Sequence, residues 1–119
     1  MPSERLHRRV ALDSERTSQQ LLDISPTWAT VAAFYAALHW VDAFLARESN
    51  LHPENHPSRG QVVERTSGLR RIYVQYQRLF VVSLQARYQG ISFSREEASK
   101  LIAEDLAAIK AVVISAIGT

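Results

Sequence analysis

The stretch from Trp28 to Ala46 is apolar around its whole circumference, and this limits the fold more than any other feature of the chain. Trp28, Val31, Phe34, Tyr35, Leu38, Val41, Phe44 and Leu45 cannot share one stripe of a helix. Seven alanines lie among them, Ala29, Ala32, Ala33, Ala36, Ala37, Ala43 and Ala46. Alanine is the strongest helix former, so a helix is expected over about Pro26 to Arg47. Ser25 supplies an N-capping hydroxyl, and Pro26 takes the first helical position, where a missing N–H costs nothing. The stretch is nearly long enough for a membrane span. His39 and Asp42 lie inside it, however, and amphipathic segments flank it, so a buried central helix is expected. A helix that is apolar on every side must be covered on every side. Three neighbours from one chain of 119 residues rarely suffice, which predicts a homodimer over the far side.

Three further helices account for most of the remaining chain. The first is expected from Ser3 to Leu22, with Leu6, Val10, Thr17, Leu21 and Ile24 near one stripe and a polar middle that makes it peripheral. A loop follows the central helix from Glu48 to Pro57, where Asn50, Pro53, Asn55 and Pro57 disfavour helix. The third helix is expected from Ser58, as N-cap, to Gln89, with a kink or a break at Gly68 and a stop at Gly90. The fourth is expected from Arg95 to Ile117, opened by the Ser94-Arg95-Glu96-Glu97 capping box. Its apolar stripe is Ala98, Leu101, Ile102, Ile109, Val112, Val113 and Ala116, which leaves Glu104 and Asp105 on an exposed face. Short connections within the first and last pairs favour antiparallel neighbours. The expected fold is all-α, a single domain over 1–119 built as an up-down four-helix bundle.

Composition excludes several classes. With no cysteine, disulfide scaffolds, thiol catalysis and Cys-based zinc sites are out. Only 4 Gly and 4 Pro argue against a sandwich or barrel. The charged segment Met1 to Val10 lacks the apolar core of a signal peptide, and a cytoplasmic location is expected.

The net charge is only +2, but it is unevenly spread. Residues 59–88 carry six arginines, Arg59, Arg65, Arg70, Arg71, Arg78 and Arg87, against the single acid Glu64. Arginine presents a planar fork that matches phosphate, whereas lysine is a point charge. An arginine block without lysine points to anion recognition. The same side chains can equally form a solvated face paired with acids on neighbouring helices.

Tyr35, His39 and Asp42 make a polar string on the most apolar helix. They are either a satisfied core network, with Arg87 or Tyr76 as partner, or one wall of a ligand cleft. His52 and His56 stand four apart in a proline-containing loop with no third ligand in view, so no metal or cofactor is expected. Pro57-Ser58-Arg59-Gly60 opens a helix whose free N–H groups, with Arg59, can hold a phosphate or simply be capped. A ribonuclease needs no metal when it has a histidine to move a proton and an arginine to meet the charge on phosphate. Arg47-Glu48-Ser49-Asn50-Leu51-His52 offers that pair, with His56 as a second acid–base candidate. Fingerprints of hydrolases and dehydrogenases are absent from the sequence.

Phe34-Tyr35-Ala36-Ala37-Leu38-His39-Trp40-Val41-Asp42-Ala43 resembles the second-helix signature of HEPN domains. The loop with His52 and His56 followed by Arg59 is similar as well. So are Ile72-Tyr73-x-x-Tyr76-x-x-Leu79, running into Ser83-x-x-Ala86-Arg87-Tyr88, and the helix opening Phe93-Ser94-x-Glu96-Glu97-Ala98. The resemblance spans about residues 26–117. It implies a helical bundle that dimerises and binds nucleotide or RNA. Some such domains are metal-independent ribonucleases of toxin or phage-defence systems, and others are non-catalytic partners of nucleotidyltransferases. The active branch carries Arg-x4–6-His near its last two helices. Arg87 lies in that region with no histidine after it, so the motif transfers only to Arg47 and His52.

Three functions follow as expectations. The first is a binding module in which Arg59 and Arg87 meet phosphate and Tyr76 or Tyr88 stacks on a base. The second is a ribonuclease with His52 or His56 as acid–base and Arg47 or Arg59 as phosphate clamp. The third is a purely structural dimer or antitoxin-like partner. None of the three requires a membrane.

Overall fold

The computed structural model describes residues 3–48, 53 and 55–118. Those residues are all-helical, with no strand among them. Five helices follow one another. They are α1 (Glu4–Leu21), α2 (Pro26–Glu48), α3 (His56–Arg65), α4 (Tyr73–Tyr88) and α5, a continuous rod made of Arg95–Lys100, a π-helical turn Leu101–Leu106 and Ala107–Ile117. A short 3₁₀ turn, Arg70–Ile72, leads into α4.

α2 lies at the centre, with α1, α4 and α5 packed around it. Ala29, Ala33, Phe34, Ala36, Ala37, Val41, Ala43 and Leu45 are wholly buried. It is long and apolar enough to cross a membrane by length and composition, yet most of it is enclosed by its own chain. The expected need for a second copy over α2 therefore does not arise. Among its described large apolar side chains, only Trp28 is exposed on the bundle surface. The alanines explain how so few neighbours suffice, because small side chains let adjacent helices approach closely and cover more of the circumference.

The helix starts follow local chemistry. Ser25 Oγ accepts from the Trp28 N–H at 3.3 Å, as its position before Pro26 predicts. The capping box of Ser94 and Glu97 forms in both directions. At the end of α4, Gly90 takes φ +65 and the Ile91 N–H returns to the Gln85 carbonyl at 3.2 Å.

The expected third helix over Ser58–Gln89 is corrected at its start, and the break expected at Gly68 forms. It begins earlier, because Asn55 rather than Ser58 is the N-cap and its side chain accepts from the Ser58 N–H. It also breaks after Arg65, where Thr66 turns extended. Gly68 sits in that break against Phe44. A Cβ there would meet Phe44 Cζ at 2.6 Å, so only glycine allows the turn to close on the core. Leu69 and Ile72, just beyond, are buried by the closure. Among the described residues the result is five helices rather than four.

The fourth expected helix forms as α5, with one correction. Asp105 is not on an exposed face. The π turn carries it inward to 4% exposure, where Arg78 Nη1 donates to Asp105 Oδ1 at 2.7 Å.

Candidate functional site

The middle of α2 meets the start of α3 and the outer half of α4 in one polar cluster. α3 begins at His56 because Asn55 caps it and Pro57 fits its first turn. This puts His56 and Arg59, one turn apart, over α2. Arg59 Nε donates to Asp42 Oδ1 at 2.9 Å, and its Nη2 donates to Asp42 Oδ2 at 3.2 Å. Nη2 also donates to the Pro53 carbonyl at 3.1 Å. Both side chains are about nine-tenths buried. Two parallel bonds to one carboxylate are the strongest arrangement an arginine makes. Arg59 is therefore occupied by Asp42, and a phosphate would have to displace that carboxylate to reach it.

Arg87 differs. It projects from the last turn of α4, and its Nη1 donates to Tyr35 Oη at 2.9 Å. Its Nε donates to the Ser83 carbonyl and its Nη2 to Ser83 Oγ, each at 3.2 Å. Every acceptor is a neutral oxygen, and no carboxylate pairs with Arg87 among the described residues. Its guanidinium lies 5.5 Å from the Tyr35 ring centre and 5.0 Å from that of Tyr88. Tyr88 is 73% exposed, so one face of this cation–π stack is open.

His56 packs its ring on Phe34 and Phe80, with centroids 5.5 and 5.4 Å away. Its Nδ1 is buried and has no hydrogen-bond partner among the described residues. Burial holds its pKa below the usual histidine value, and the charges of Arg59 and Arg87 lower it further against the opposing pull of Asp42. The imidazole is therefore neutral at neutral pH and able to accept a proton. Tyr76, expected as a stacking platform, is only 1% exposed, so no base can reach its ring. Burial pushes its hydroxyl well above the usual tyrosine value, against the opposing pull of Arg59.

The three members of the polar string on α2 each face a different partner. Tyr35 meets Arg87 and Asp42 meets Arg59, as described. His39 meets His7 of α1, with their Nδ1 atoms 3.0 Å apart. The string is thus a set of separate side-chain pairs, not one continuous wall. Arg47 is exposed at the end of α2 and pairs with Glu4 at 3.3 Å, away from the Arg87 cluster. His52 lies outside the described residues.

Sequence reading missed three contributors. His7 sits in a helix whose polar middle marked it as peripheral. Phe80 lies 24 residues from His56, and no local pattern links the two. Trp28 counted toward the buried face, yet it is 51% exposed two turns before Tyr35 on the same face of α2. No group of three or more metal-ligating side chains exists among the described residues.

No family model, curated protein or solved structure matches the chain.

Proposed function

We propose that this chain is a HEPN-like helical module that binds the phosphates of a nucleotide or RNA without cutting them, acting alone or beside another enzyme. Arg87 carries the reading. A partly buried guanidinium whose bonds all go to neutral oxygens keeps its charge uncompensated, and an anion is the partner that would neutralise it. Tyr88 beside it offers an exposed ring for a base, and half-exposed Trp28 offers a second. Arg65, at the end of α3, and Arg71, in the turn before α4, are both exposed and add positive charge at the other end of α4. The resemblance of the segment around Tyr35 and His39 to HEPN domains supports the same ligand class. A homodimer remains part of the proposal, with the outer face of α4, where Val74 and Val81 are exposed, as its contact.

The test is fluorescence anisotropy with a labelled single-stranded RNA and with a labelled nucleotide across a salt series. Binding should weaken steeply with salt. Arg87→Ala should reduce affinity and lower the salt slope by about one phosphate contact. Tyr88→Ala should weaken binding without changing the slope. Binding that ignores salt and both substitutions would refute the module and leave a purely structural partner.

One observation favours a second reading, a metal-independent ribonuclease. His56 is a neutral imidazole with an unpartnered nitrogen near two arginines. Cleavage of mixed RNA in the presence of chelator, lost in His56→Ala, would establish it.

A further inference from the structure

α1 is a polar helix with a small apolar footprint. Of its 18 residues only His7, Ala11 and Ser18 are buried. Leu22 enters the core just past its end. Polar contacts to neighbouring helices also hold it in place. The most unusual of these joins it to α2. His7 Nδ1 and His39 Nδ1 lie 3.0 Å apart, and the ring centres are 5.3 Å apart.

A hydrogen bond between two Nδ1 atoms needs one that carries a proton and one that offers a lone pair. Two neutral rings meet this condition, and so does one neutral ring beside one protonated ring. Two protonated rings do not. Both Nδ1 atoms are then donors, and two positive charges face each other in a largely desolvated contact. His7 is 7% exposed and His39 is half-buried, so solvent screens this repulsion poorly. Burial lowers the His39 pKa, the nearby His7 lowers it further, Asp42 opposes this, and Arg59 adds to it.

We propose that the His7–His39 pair is an acid-sensitive latch, and that its second protonation releases α1 from α2 while α2, α4 and α5 stay packed. Among the described residues, the neighbouring charged groups form pairs of their own. On α1, Glu4 pairs with Arg8 at 2.7 Å and with Arg47 of α2 at 3.3 Å. Arg8 also donates to the Ile117 carbonyl of α5 at 3.0 Å. Glu15 pairs with Lys110 of α5 at 3.1 Å. Asp42 of α2 and Arg59 of α3 are bound to each other. Each of these contacts joins a cation to a carboxylate or a carbonyl, whereas the His7–His39 contact joins two imidazoles, the side chains suited to respond to mild acid. His56, its pKa lowered by burial, is a further histidine, but it sits between α3 and the Phe34–Phe80 rings, away from α1. Release of α1 uncovers apolar surface of α2, its main packing partner.

The test is amide hydrogen exchange read by mass spectrometry at about pH 7.5, 6.5 and 5.5, corrected for the intrinsic pH dependence of exchange. Peptides from α1 should lose protection by about tenfold or more at the lowest pH, while those from α2 and α4 keep most of theirs. In His39→Leu and in His7→Gln the α1 protection should no longer respond to pH. Imidazole nitrogen NMR of the unsubstituted protein gives an independent readout if either variant fails to fold. The pair should titrate in two separated steps. Unchanged α1 protection, equal loss in every helix, or a pH response that survives both substitutions would overturn the latch. A single shared step at the ordinary histidine value would also overturn it.

Discussion

Asp42→Asn removes the charge beneath Arg59 while keeping the size of the side chain. The cost can be worked from the contact. Arg59 and Asp42 are 9% and 10% exposed in their side chains and share bonds of 2.9 and 3.2 Å. Breaking a buried pair by neutralising one member typically costs about 3–5 kcal/mol, because the other charge stays buried without its counterion. Arg59 keeps its bond to the Pro53 carbonyl, and asparagine still offers one acceptor, so the low end, about 3 kcal/mol, is expected. Total stability for a domain is only about 5–15 kcal/mol. A domain of this size should lose about 10 °C in Tm. Urea unfolding would show the loss as a lower midpoint at unchanged slope. Arg59→Gln should cost a similar amount, and the double variant should be no worse than either single one. The resulting coupling should be about 3 kcal/mol or more. Strictly additive costs, or a loss under about 1 kcal/mol for Asp42→Asn, would refute the claim that this pair is desolvated.

Three further outcomes are expected. Gly68→Ala should destabilise by about 1–3 kcal/mol, measured by urea unfolding, because its Cβ would press on the buried Phe44 ring. Arg78→Ala should cost about 1–3 kcal/mol in the same assay, since Asp105 is buried with one oxygen already unpartnered; Arg78 itself is 52% exposed, which holds the cost toward the lower part of that range. Global stability should be full above about pH 6.5 and fall on acidification. His39 and His56 have folded pKa values lowered below the unfolded one, so the unfolded chain binds protons first and the loss continues until the pH passes their folded values. Thermal melts of the double variant His39→Gln/His56→Gln should flatten that slope.

The legible part of this protein is the part written within a few residues. Ser25 before Pro26, Ser94 three before Glu97, and the glycine after α4 each act on backbone groups one turn away. The break at Gly68 was legible as a possibility, but its necessity was not. That comes from Phe44, a residue of another helix. The candidate site was partly legible for the same reason. Arg87, Tyr88, Arg59, Asp42, Tyr35 and His56 stand out by residue type, yet type alone cannot distinguish the arginine bound to a carboxylate from the one that, among the described residues, meets only neutral oxygens.

The sequence by itself determined that the chain is helical, where most helices start and stop, and that α2 is the central one. Propensity, capping and apolar periodicity are local, so they need no knowledge of the neighbours. Tertiary structure alone decided which charges are spent. Asp42 and Arg59 are 17 residues apart, His7 and His39 are 32, and Tyr35 and Arg87 are 52. No local pattern encodes such pairings. They exist only once packing has brought the helices together and removed the water that would otherwise have satisfied each group.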